Sequence, residues 1–279
     1  MSRLPVIVIW GVGLIGGSLG MAWRRAGVAA RIIGIDPLPL DTAIKLGAID
    51  EAADDPAEAL AQADVLVLAA PVRAIIAQAA SHARYLRPGA VVTDVGSTKA
   101  DIVQAWDGAL PPGAAFVGGH PLFGREVGGV ANASPDLPRG ATWVLTPGGT
   151  TTGPAVETVE RLASAVGATV NSMSPEEHDQ RVAVASHLPQ LAATALAATA
   201  QPHPDALALA AGGFRDTTRL ASSPAEIWLD ILGTNRPAIL QALGEYRRVL
   251  AELEAAVQQT DTAALDTLFA RAHEARRRL

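Results

Sequence analysis

The amino-acid sequence predicts a doubly wound α/β domain followed by an all-α domain. In the first half, short apolar runs alternate with Ala-rich helical patterns, which is typical of a parallel sheet covered by helices on both faces. A glycine-rich turn at residues 11–16 joins the first apolar run to the first helical pattern. From about residue 175 onward, apolar residues recur only at helical spacing. We therefore predict two domains, residues 1–174 and residues 175–279.

The individual elements follow from the same periodicity. The predicted strands are residues 6–10, 31–35, 65–68, 90–93, 115–117, 143–145 and 168–173. The predicted helices between them are residues 18–26, 42–46, 72–85 and 99–106, together with an Ala-rich helix directly before the strand at residues 65–68. The second domain opens on Ser174-Pro175-Glu176-Glu177, in which a capping serine precedes a proline and two acidic residues, as at many helix starts. Its further predicted helices are residues 182–200, 205–211, 224–233, 237–259 and 262–278.

Composition excludes several classes of function. The chain has 279 residues, of which 49% are hydrophobic, so a folded protein with a sizeable core is expected. Its formal net charge of −6 lacks the basic excess of a nucleic-acid-binding protein, so we expect no DNA or RNA partner. The lack of cysteine excludes disulfides, a thiol nucleophile and thiolate metal sites. No signal-peptide pattern and no apolar run of roughly 18–20 residues is present, so we expect a cytoplasmic protein without a membrane partner.

The turn at residues 11–16 has the spacing of a dinucleotide-binding loop, with Gly11, Gly13 and Gly16 between a strand and a helix. The first glycine permits a tight turn, the second lets the backbone approach a pyrophosphate, and the third lets the helix pack on the strand. The amide groups at the helix start would then face the phosphates. A purely structural glycine turn is the alternative, but the strand–turn–helix context favours a Rossmann-like cofactor site.

Asp36 follows the second predicted strand, 20 positions after Gly16. A carboxylate there can accept hydrogen bonds from both ribose hydroxyls and would repel a 2′-phosphate. The next four residues, Pro-Leu-Pro-Leu, supply no basic side chain, so we predict NAD rather than NADP. Trp10, directly before the loop, is expected to pack beneath it rather than to crowd the cofactor. The predicted cofactor-binding residues are Gly11, Gly13, Leu14, Ile15, Gly16, Asp36, Ala70 and Pro71.

Polar side chains follow two later strands, at the sheet edge where ligands of open α/β sheets bind. Ser97 and His120 fall where a substrate would meet the nicotinamide. A neutral imidazole can take the hydroxyl proton when an alcohol carbon gives up hydride, so His120 is the candidate base. A structural histidine and a helix-capping serine remain alternatives at these two positions. Lys99 is interpreted as a solvated side chain or as a neighbour of a phosphate.

A series of short motifs in a fixed order carries a resemblance to a known family. Over about residues 5–250 the chain resembles the prephenate/arogenate dehydrogenase family of tyrosine biosynthesis. The motifs are GVGLIGGS (11–18), TDVGSTK (93–99), GGHPLFGREVGG (118–129), VLTP (144–147), EEHDQ (176–180), SHLPQ (186–190) and GGFRDTTR (212–219). Each is weak alone, whereas all of them in this order are specific.

The resemblance implies an activity and roles for particular residues. His120 matches the histidine that accepts the proton of the substrate's ring hydroxyl, and Ser97 matches a serine that contacts this hydroxyl and orients that histidine. Arg219 matches an arginine that binds a substrate carboxylate. The family implies NAD-dependent oxidation and decarboxylation of prephenate, arogenate or both, without a metal, by a homodimer formed through the helical domain. The other residues that it places at the substrate pocket are Glu126 at its mouth, Asp216, His187 and Gln190.

Two positions depart from the family pattern. Gln190 stands where many members have a substrate-contacting histidine, and its amide can donate a hydrogen bond but carries no charge. The choice between prephenate and arogenate therefore stays open, with an expectation of substantial arogenate activity. Phe123 stands where a small residue is frequent, so the pocket is expected to be tighter near His120.

Two other functions fit parts of the sequence. β-Hydroxyacid dehydrogenases and imine reductases share the two-domain plan, but many use a catalytic lysine on the helical domain, and this chain has no lysine beyond Lys99. A dinucleotide-binding regulator without catalytic activity would be expected to lack His120 or Arg219, and both are present.

Overall fold

The structure, a computed structural model, describes residues 4–125 and 127–278 and confirms the predicted fold class. Within these residues, one sheet with helices on its two faces is followed by a region of helices alone. The strands are β1 (Val6–Trp10), β2 (Arg31–Ile35), β3 (Glu51–Ala52), β4 (Val65–Leu68), β5 (Val91–Asp94), β6 (Ala115–Pro121), β7 (Thr142–Pro147) and β8 (Thr169–Ser172).

The helices divide between the two regions. Those that alternate with the strands are α1 (Leu14–Ala26), α2 (Asp41–Lys45), α3 (Pro56–Gln62), α4 (Val72–His82), α5 (Ala100–Ala109) and α6 (Gly153–Ala165). Those that follow the sheet are α7 (Pro175–Val182), α8 (Leu188–Ala200), α9 (Pro204–Ala208), α10 (Gly212–Thr218), α11 (Ala225–Thr234), α12 (Arg236–Gln258) and α13 (Thr262–Arg276).

The strand order is β3-β2-β1-β4-β5-β6-β7-β8, so the order reverses between β1 and β4. Ligands of open α/β sheets bind at this reversal, beyond the carboxyl ends of the strands. The Gly-rich turn after β1 and the chain after β4 both lie there. Two hydrophobic clusters cover the two faces of the sheet, as expected for strands without an exposed side.

The prediction of an entirely parallel sheet is wrong at β7. This strand pairs antiparallel with β6, and β8 then pairs parallel with β7. The pairing of β5 with β6 ends at Thr93 and Val117, whereas β6 continues along β7 as far as Pro121. As a result His120, opposite Val144, lies within a paired strand rather than in the loop that the sequence suggested.

The helical region begins where the capping signal predicts. The Ser174 hydroxyl accepts a hydrogen bond from the Glu177 amide at the start of α7. α7 runs through a π-helical turn, Ala183–His187, into α8. Within the combined helix Pro175–Ala200, an 18-residue stretch with a mean hydropathy of 1.2 is long and apolar enough to cross a membrane by length and composition alone. Core helices of water-soluble proteins also meet this criterion.

The helices after the sheet have a small core of their own around Ala183, Ile231, Ile239 and Ala242. Many large aliphatic and aromatic side chains on the same helices remain exposed to solvent. They include Val184, Ile227, Leu229, Leu240, Val257 and Phe269. Exposed apolar side chains in this number are typical of a region that contacts another protein.

Trp10 packs edge-on against the ring of His82 on α4, with the ring centroids 4.3 Å apart. The side chain belongs to the hydrophobic cluster that contains Ile35 and Leu68. The bulky ring at the end of β1 is therefore accommodated by packing against α4.

Candidate active site

The Gly-rich loop has the geometry that its spacing predicts. Gly11 has a φ of 98°, and a Cβ atom there would overlap the carbonyl of Ala69. A Cβ at Gly16 would overlap the carbonyl of Gly11, so α1 packs directly on the loop. A Cβ at Gly13, by contrast, would meet no described atom within 4 Å. The loop is thus tight at its first and third glycines and open at the second, where a pyrophosphate would need space.

The start of α1 suits an anion. Its cap residue is Gly13, and no described side chain caps the helix or places an acidic group in its first turn. The first amide groups, including those of Leu14 and Ile15, are therefore available to a ligand and carry the positive end of the helix dipole. The chain after β4 supplies Ala70 and Pro71 next to Gly11, since a Cβ at Gly11 would lie 2.9 Å from the Ala70 nitrogen.

Asp36 holds the Gly-rich loop as well as standing at the end of β2. Its Oδ2 accepts a hydrogen bond of 2.8 Å from the amide of Val12, and its Oδ1 accepts one of 2.9 Å from the amide of Leu38. Each carboxylate oxygen keeps a second lone pair for a further donor. The loop, the helix start and this carboxylate together fit a dinucleotide.

A buried ion pair lies at the carboxyl end of β5. The side chains of Asp94 and Lys99 contact each other and are both 0% exposed. Lys99 Nζ also donates to the carbonyl of Gly119 at 2.8 Å, and Asp94 accepts hydrogen bonds from the amides of Gly119 and Gly96 at 2.9 and 2.8 Å. The pair thus ties the loop after β5 to the residue that precedes His120.

The interpretation of Lys99 as a solvated side chain is wrong. Burial lowers the pKa of Lys99, and the neighbouring carboxylates of Asp94 and Asp179 oppose this shift. The buried amine donates hydrogen bonds to the carboxylate of Asp94 and the carbonyl of Gly119. Its position between two strand ends indicates a structural and electrostatic role.

His120 belongs to a chain of three side chains that crosses from β6 to α7. Its Nδ1 lies 2.8 Å from Nε2 of His178, and Nδ1 of His178 lies 2.8 Å from Oδ1 of Asp179. Asp179 also accepts hydrogen bonds from the backbone amides of Lys99 and Ala100, at 2.8 and 2.9 Å, so it caps the start of α5. The helical region thereby contributes directly to the surroundings of His120.

The surroundings of His120 keep its imidazole neutral. Burial lowers the pKa of His120 well below its usual value of 6.5, and the neighbouring side chains of His178, Lys99 and His187 act in the same direction. A neutral imidazole at neutral pH has one nitrogen free to accept a proton. His120 therefore has the protonation state that a general base requires.

His187 and Gln190 lie on the helix that follows His178. His187 is 1% exposed, its Nδ1 lies 3.3 Å from the Asn235 amide nitrogen, and its ring packs edge-on against Trp228. Burial lowers the pKa of His187 to about 4, with Asp179 opposing the shift. This environment favours a structural role for His187 over substrate contact. Gln190 is 5% exposed, and its Oε1 accepts no hydrogen bond from any described residue.

The remaining candidates lie at the edge of this cluster. Ser97 is partly buried in the loop that Asp94 holds, and the partner of His120 Nδ1 is His178 rather than Ser97. Asp216 and Arg219 lie at the end of α10 and just after it, both exposed, in a segment that packs against α8. The predicted site residue Glu126 lies outside the described residues.

A metal site is not apparent in the part of the chain that the structure describes. Among residues 4–125 and 127–278, no group of three or more His, Asp or Glu side chains could hold a metal ion. The groups of this cluster that can take part in chemistry are its imidazoles, its carboxylates and its buried amine.

Comparison with known protein families identifies both regions of the chain. Residues 19–172 match the nucleotide-binding domain of prephenate dehydrogenase, and residues 174–271 match its dimerization domain. The chain belongs to the prephenate dehydrogenase family. Its helical region is accordingly a dimerisation domain, which explains the apolar side chains that one copy leaves exposed.

Individual members of the prephenate dehydrogenase family are similar over nearly the whole chain. Prephenate dehydrogenase of Bacillus subtilis is 38% identical, over 97% of this chain and 75% of that protein. Cyclohexadienyl dehydrogenase of Zymomonas mobilis is 31% identical, over 94% of this chain and 91% of that protein. The crystal structure of Aquifex aeolicus prephenate dehydrogenase with hydroxyphenyl propionate and NAD+ superimposes with a TM-score of 0.91, at 33% identity, covering 99% of each chain.

Sequence reasoning missed several members of the cluster around His120. Neither His178 nor Asp179 was assigned a role, although both lie within the EEHDQ motif of the family. The signal that could have found them is a pair of adjacent titratable residues on the apolar face of a predicted helix. In α7 both side chains are nearly inaccessible to solvent. Asp94 could have been noted as a carboxylate at the end of an apolar strand, five positions before a lysine.

Proposed function

We propose that this enzyme oxidises and decarboxylates prephenate, arogenate or both, with NAD as the hydride acceptor, in tyrosine biosynthesis. Membership of the prephenate dehydrogenase family carries the reaction class. The observation that carries the mechanism is the position of His120, whose Nδ1 lies 2.8 Å from His178 Nε2, at the same end of the sheet as the Gly-rich loop. Such a histidine has its other nitrogen, Nε2, left to accept a proton.

The chemistry follows from the substrate. Prephenate is a cyclohexadienol with a ring carboxylate and a pyruvyl side chain. NAD, when bound, accepts the hydride from the carbinol carbon. His120 takes the hydroxyl proton at Nε2, which leaves a dienone that is a vinylogous β-keto acid. Loss of carbon dioxide then gives the aromatic ring, so the protein has only to position the substrate, remove the proton and exclude water.

The other site residues are assigned by the same proposal. Ser97 contacts the substrate hydroxyl, and Arg219 binds a substrate carboxylate through its planar guanidinium group. Asp216, Glu126 and Gln190 lie around the remainder of the pocket. His187 supports the pocket from within the helical domain. We place the boundary between the two domains at residues 174 and 175.

A direct assay tests the activity. Purified protein is incubated with NAD and with prephenate, arogenate or a simple 3-hydroxy acid, and NADH absorbance is followed. We expect NADH formation with prephenate, arogenate or both, and none with the 3-hydroxy acid. NADH formation with the 3-hydroxy acid alone would contradict the proposal and favour a β-hydroxyacid dehydrogenase.

The cofactor preference should depend on Asp36. The variant Asp36→Ser should reduce the preference for NAD over NADP by at least about tenfold, because the charge that repels a 2′-phosphate and the acceptor for the ribose are both lost. The KM for NAD should also rise, since the Val12 amide loses its partner. The measurement is kcat/KM with each cofactor, and Asp41→Ser, at an exposed carboxylate at the start of α2, is the control. Equal use of NADP and NAD by the unaltered protein would refute this assignment.

Substrate choice should depend on Gln190. Its buried Oε1 lacks a hydrogen-bond donor among the described residues, and the ammonium group of arogenate could supply one, whereas prephenate has a neutral ketone there. A protonated histidine would instead repel the ammonium group. The variant Gln190→His should therefore shift the kcat/KM ratio toward prephenate by roughly tenfold, the effect of about one hydrogen bond to a charged group. The exposed Gln201→His is the control, and an unchanged ratio in Gln190→His would show that residue 190 does not distinguish the side chains.

We expect the enzyme to form a homodimer through its dimerisation domain. We also expect it to be cytoplasmic. Two-fold dimers are the commonest oligomers, and a second copy would cover the exposed apolar side chains of α11 and α12. Light scattering at micromolar concentration should therefore give twice the chain mass of 28.7 kDa. A species of 28.7 kDa alone would contradict the dimer.

A further inference from the structure

The hydrogen bonds that link His120, His178 and Asp179 determine which nitrogen of each imidazole carries hydrogen. Asp179 accepts backbone hydrogen bonds at both carboxylate oxygens, so it acts as an acceptor toward His178 as well. The hydrogen between Asp179 Oδ1 and His178 Nδ1, 2.8 Å apart, therefore belongs to His178. A His178 that carries a single hydrogen, on Nδ1, has none on Nε2 and can only accept there. Its partner at 2.8 Å, His120 Nδ1, must consequently be the donor.

We infer that His178 and Asp179 are positioning residues that hold His120 in the tautomer with hydrogen on Nδ1, leaving Nε2 as the proton acceptor for the substrate hydroxyl. In catalytic triads a carboxylate orients the catalytic histidine directly. Here the imidazole of His178 lies between the carboxylate of Asp179 and His120. This inference rests on the proposed role of His120 as the base. It gives a role to His178 and Asp179, which touch neither substrate nor cofactor in the proposed mechanism.

The same chain stabilises the product of proton transfer. When His120 becomes an imidazolium, its Nδ1–H bond to His178 becomes charge-assisted and stronger. Asp179 lies one imidazole further along and offsets the positive charge of Lys99 near the same ring. The titratable groups that act on His120 are Lys99 before α5, His178 on α7 and His187 in the π-helical turn. The carboxylates of Asp94 and Asp179 contact Lys99 and His178, respectively.

Nitrogen-15 NMR of the unaltered protein tests the tautomer without substrate. Protein labelled with ¹⁵N-histidine is recorded at a pH of about 8, above the ordinary histidine pKa of about 6.5. The His120 signals are assigned by their loss in His120→Asn, and His273→Asn, at an exposed histidine of α13, serves as the matched control. We expect His120 to carry its hydrogen on Nδ1 and His178 to carry its own on Nδ1. A His120 protonated mainly on Nε2 would overturn the inference.

Steady-state kinetics test the positioning role separately. His178→Leu removes the acceptor and should lower kcat by roughly 10-fold to 100-fold with little change in KM, because the ground-state contacts of the substrate are untouched. His178→Gln, whose amide oxygen can accept from His120 Nδ1, should restore part of kcat and the tautomer. Wild-type kcat and an unchanged tautomer in His178→Leu would refute the role.

The two proposals can fail independently. Should His178→Leu not fold, the tautomer of the unaltered protein still decides the inference. The predicted tautomer in a protein that reduces no NAD with prephenate or arogenate would support the positioning chain and refute the proposed function. Dehydrogenase activity in a protein whose His120 is protonated mainly on Nε2 would support the proposed function and refute the positioning chain.

Discussion

Replacing His120 with alanine should lower kcat by about 10²–10⁴-fold, the usual contribution of a positioned general base. The side chain ends a buried hydrogen-bonded chain, and its neutral form is favoured by burial. Without it, the hydroxyl proton has no acceptor of comparable basicity in the proposed site. The measurement is the rate of NADH formation at saturating substrate.

Binding of NAD to the His120→Ala variant should be nearly unchanged, because His120 is assigned to the substrate side of the site. The dissociation constant of NAD, measured by calorimetry, separates loss of the base from general damage to the loop at residues 11–16. His273→Ala, at an exposed histidine of α13, is the control for removal of an imidazole. Near-normal turnover in His120→Ala would mean that the proton leaves by another route, such as through Ser97 to water.

Replacing Lys99 with methionine should lower the free energy of unfolding by about 3–5 kcal/mol. The change leaves the carboxylate of Asp94 buried without its countercharge, and it also removes the donor to the Gly119 carbonyl. Methionine has nearly the same length, so loss of volume contributes little. Denaturant unfolding followed by circular dichroism measures the effect.

The double variant Asp94→Asn/Lys99→Met separates charge from packing. Because it removes both charges, it should recover part of the stability lost in Lys99→Met alone, as neutral replacements of buried pairs do. Lys45→Met, at an exposed lysine of α2, should change stability by no more than about 0.5 kcal/mol. A loss of less than about 1 kcal/mol in Lys99→Met would show that the pair is not structurally important.

Much of the fold could be predicted from the sequence, because apolar residues recur at regular spacing in its main helices and strands. The predicted strand at residues 6–10 coincides with β1, and the serine cap at residue 174 starts α7. Of the elements that were missed, α6 has a clear start signal in the capping Thr152, whereas two others lack any such signal. β3 is two residues long and exposed, and α10 begins with two glycines, which are poor helix formers. The antiparallel direction of β7 was also missed, because a buried apolar run looks the same in either direction.

The site was predictable only where its residues are close in sequence. The glycines of residues 11–16 and Asp36 follow a local pattern, and His120 follows a strand that the sequence reveals. Lys99 was misjudged because the burial of Lys99 and Asp94 depends on contacts with Gly119 of β6, which lies 20 or more positions away in the sequence. The contact between His120 and His178 joins positions 58 residues apart on different domains. No periodicity records such a contact, so it emerges only once α7 is packed against the sheet.

The π-helical turn at Ala183–His187 has a consequence for which sequence changes the family can tolerate. A π turn contains one residue more than an α turn would at the same place. Deleting one residue there would convert the π turn into an α turn of nearly the same rotation and rise, so α8 would keep its direction relative to α7. Gln190 and His178 would then keep nearly the same relative orientation. We therefore expect a single-residue deletion in this turn to disturb the site less than a deletion between His178 and Val182, after which the rest of the helix would rotate by about 100°.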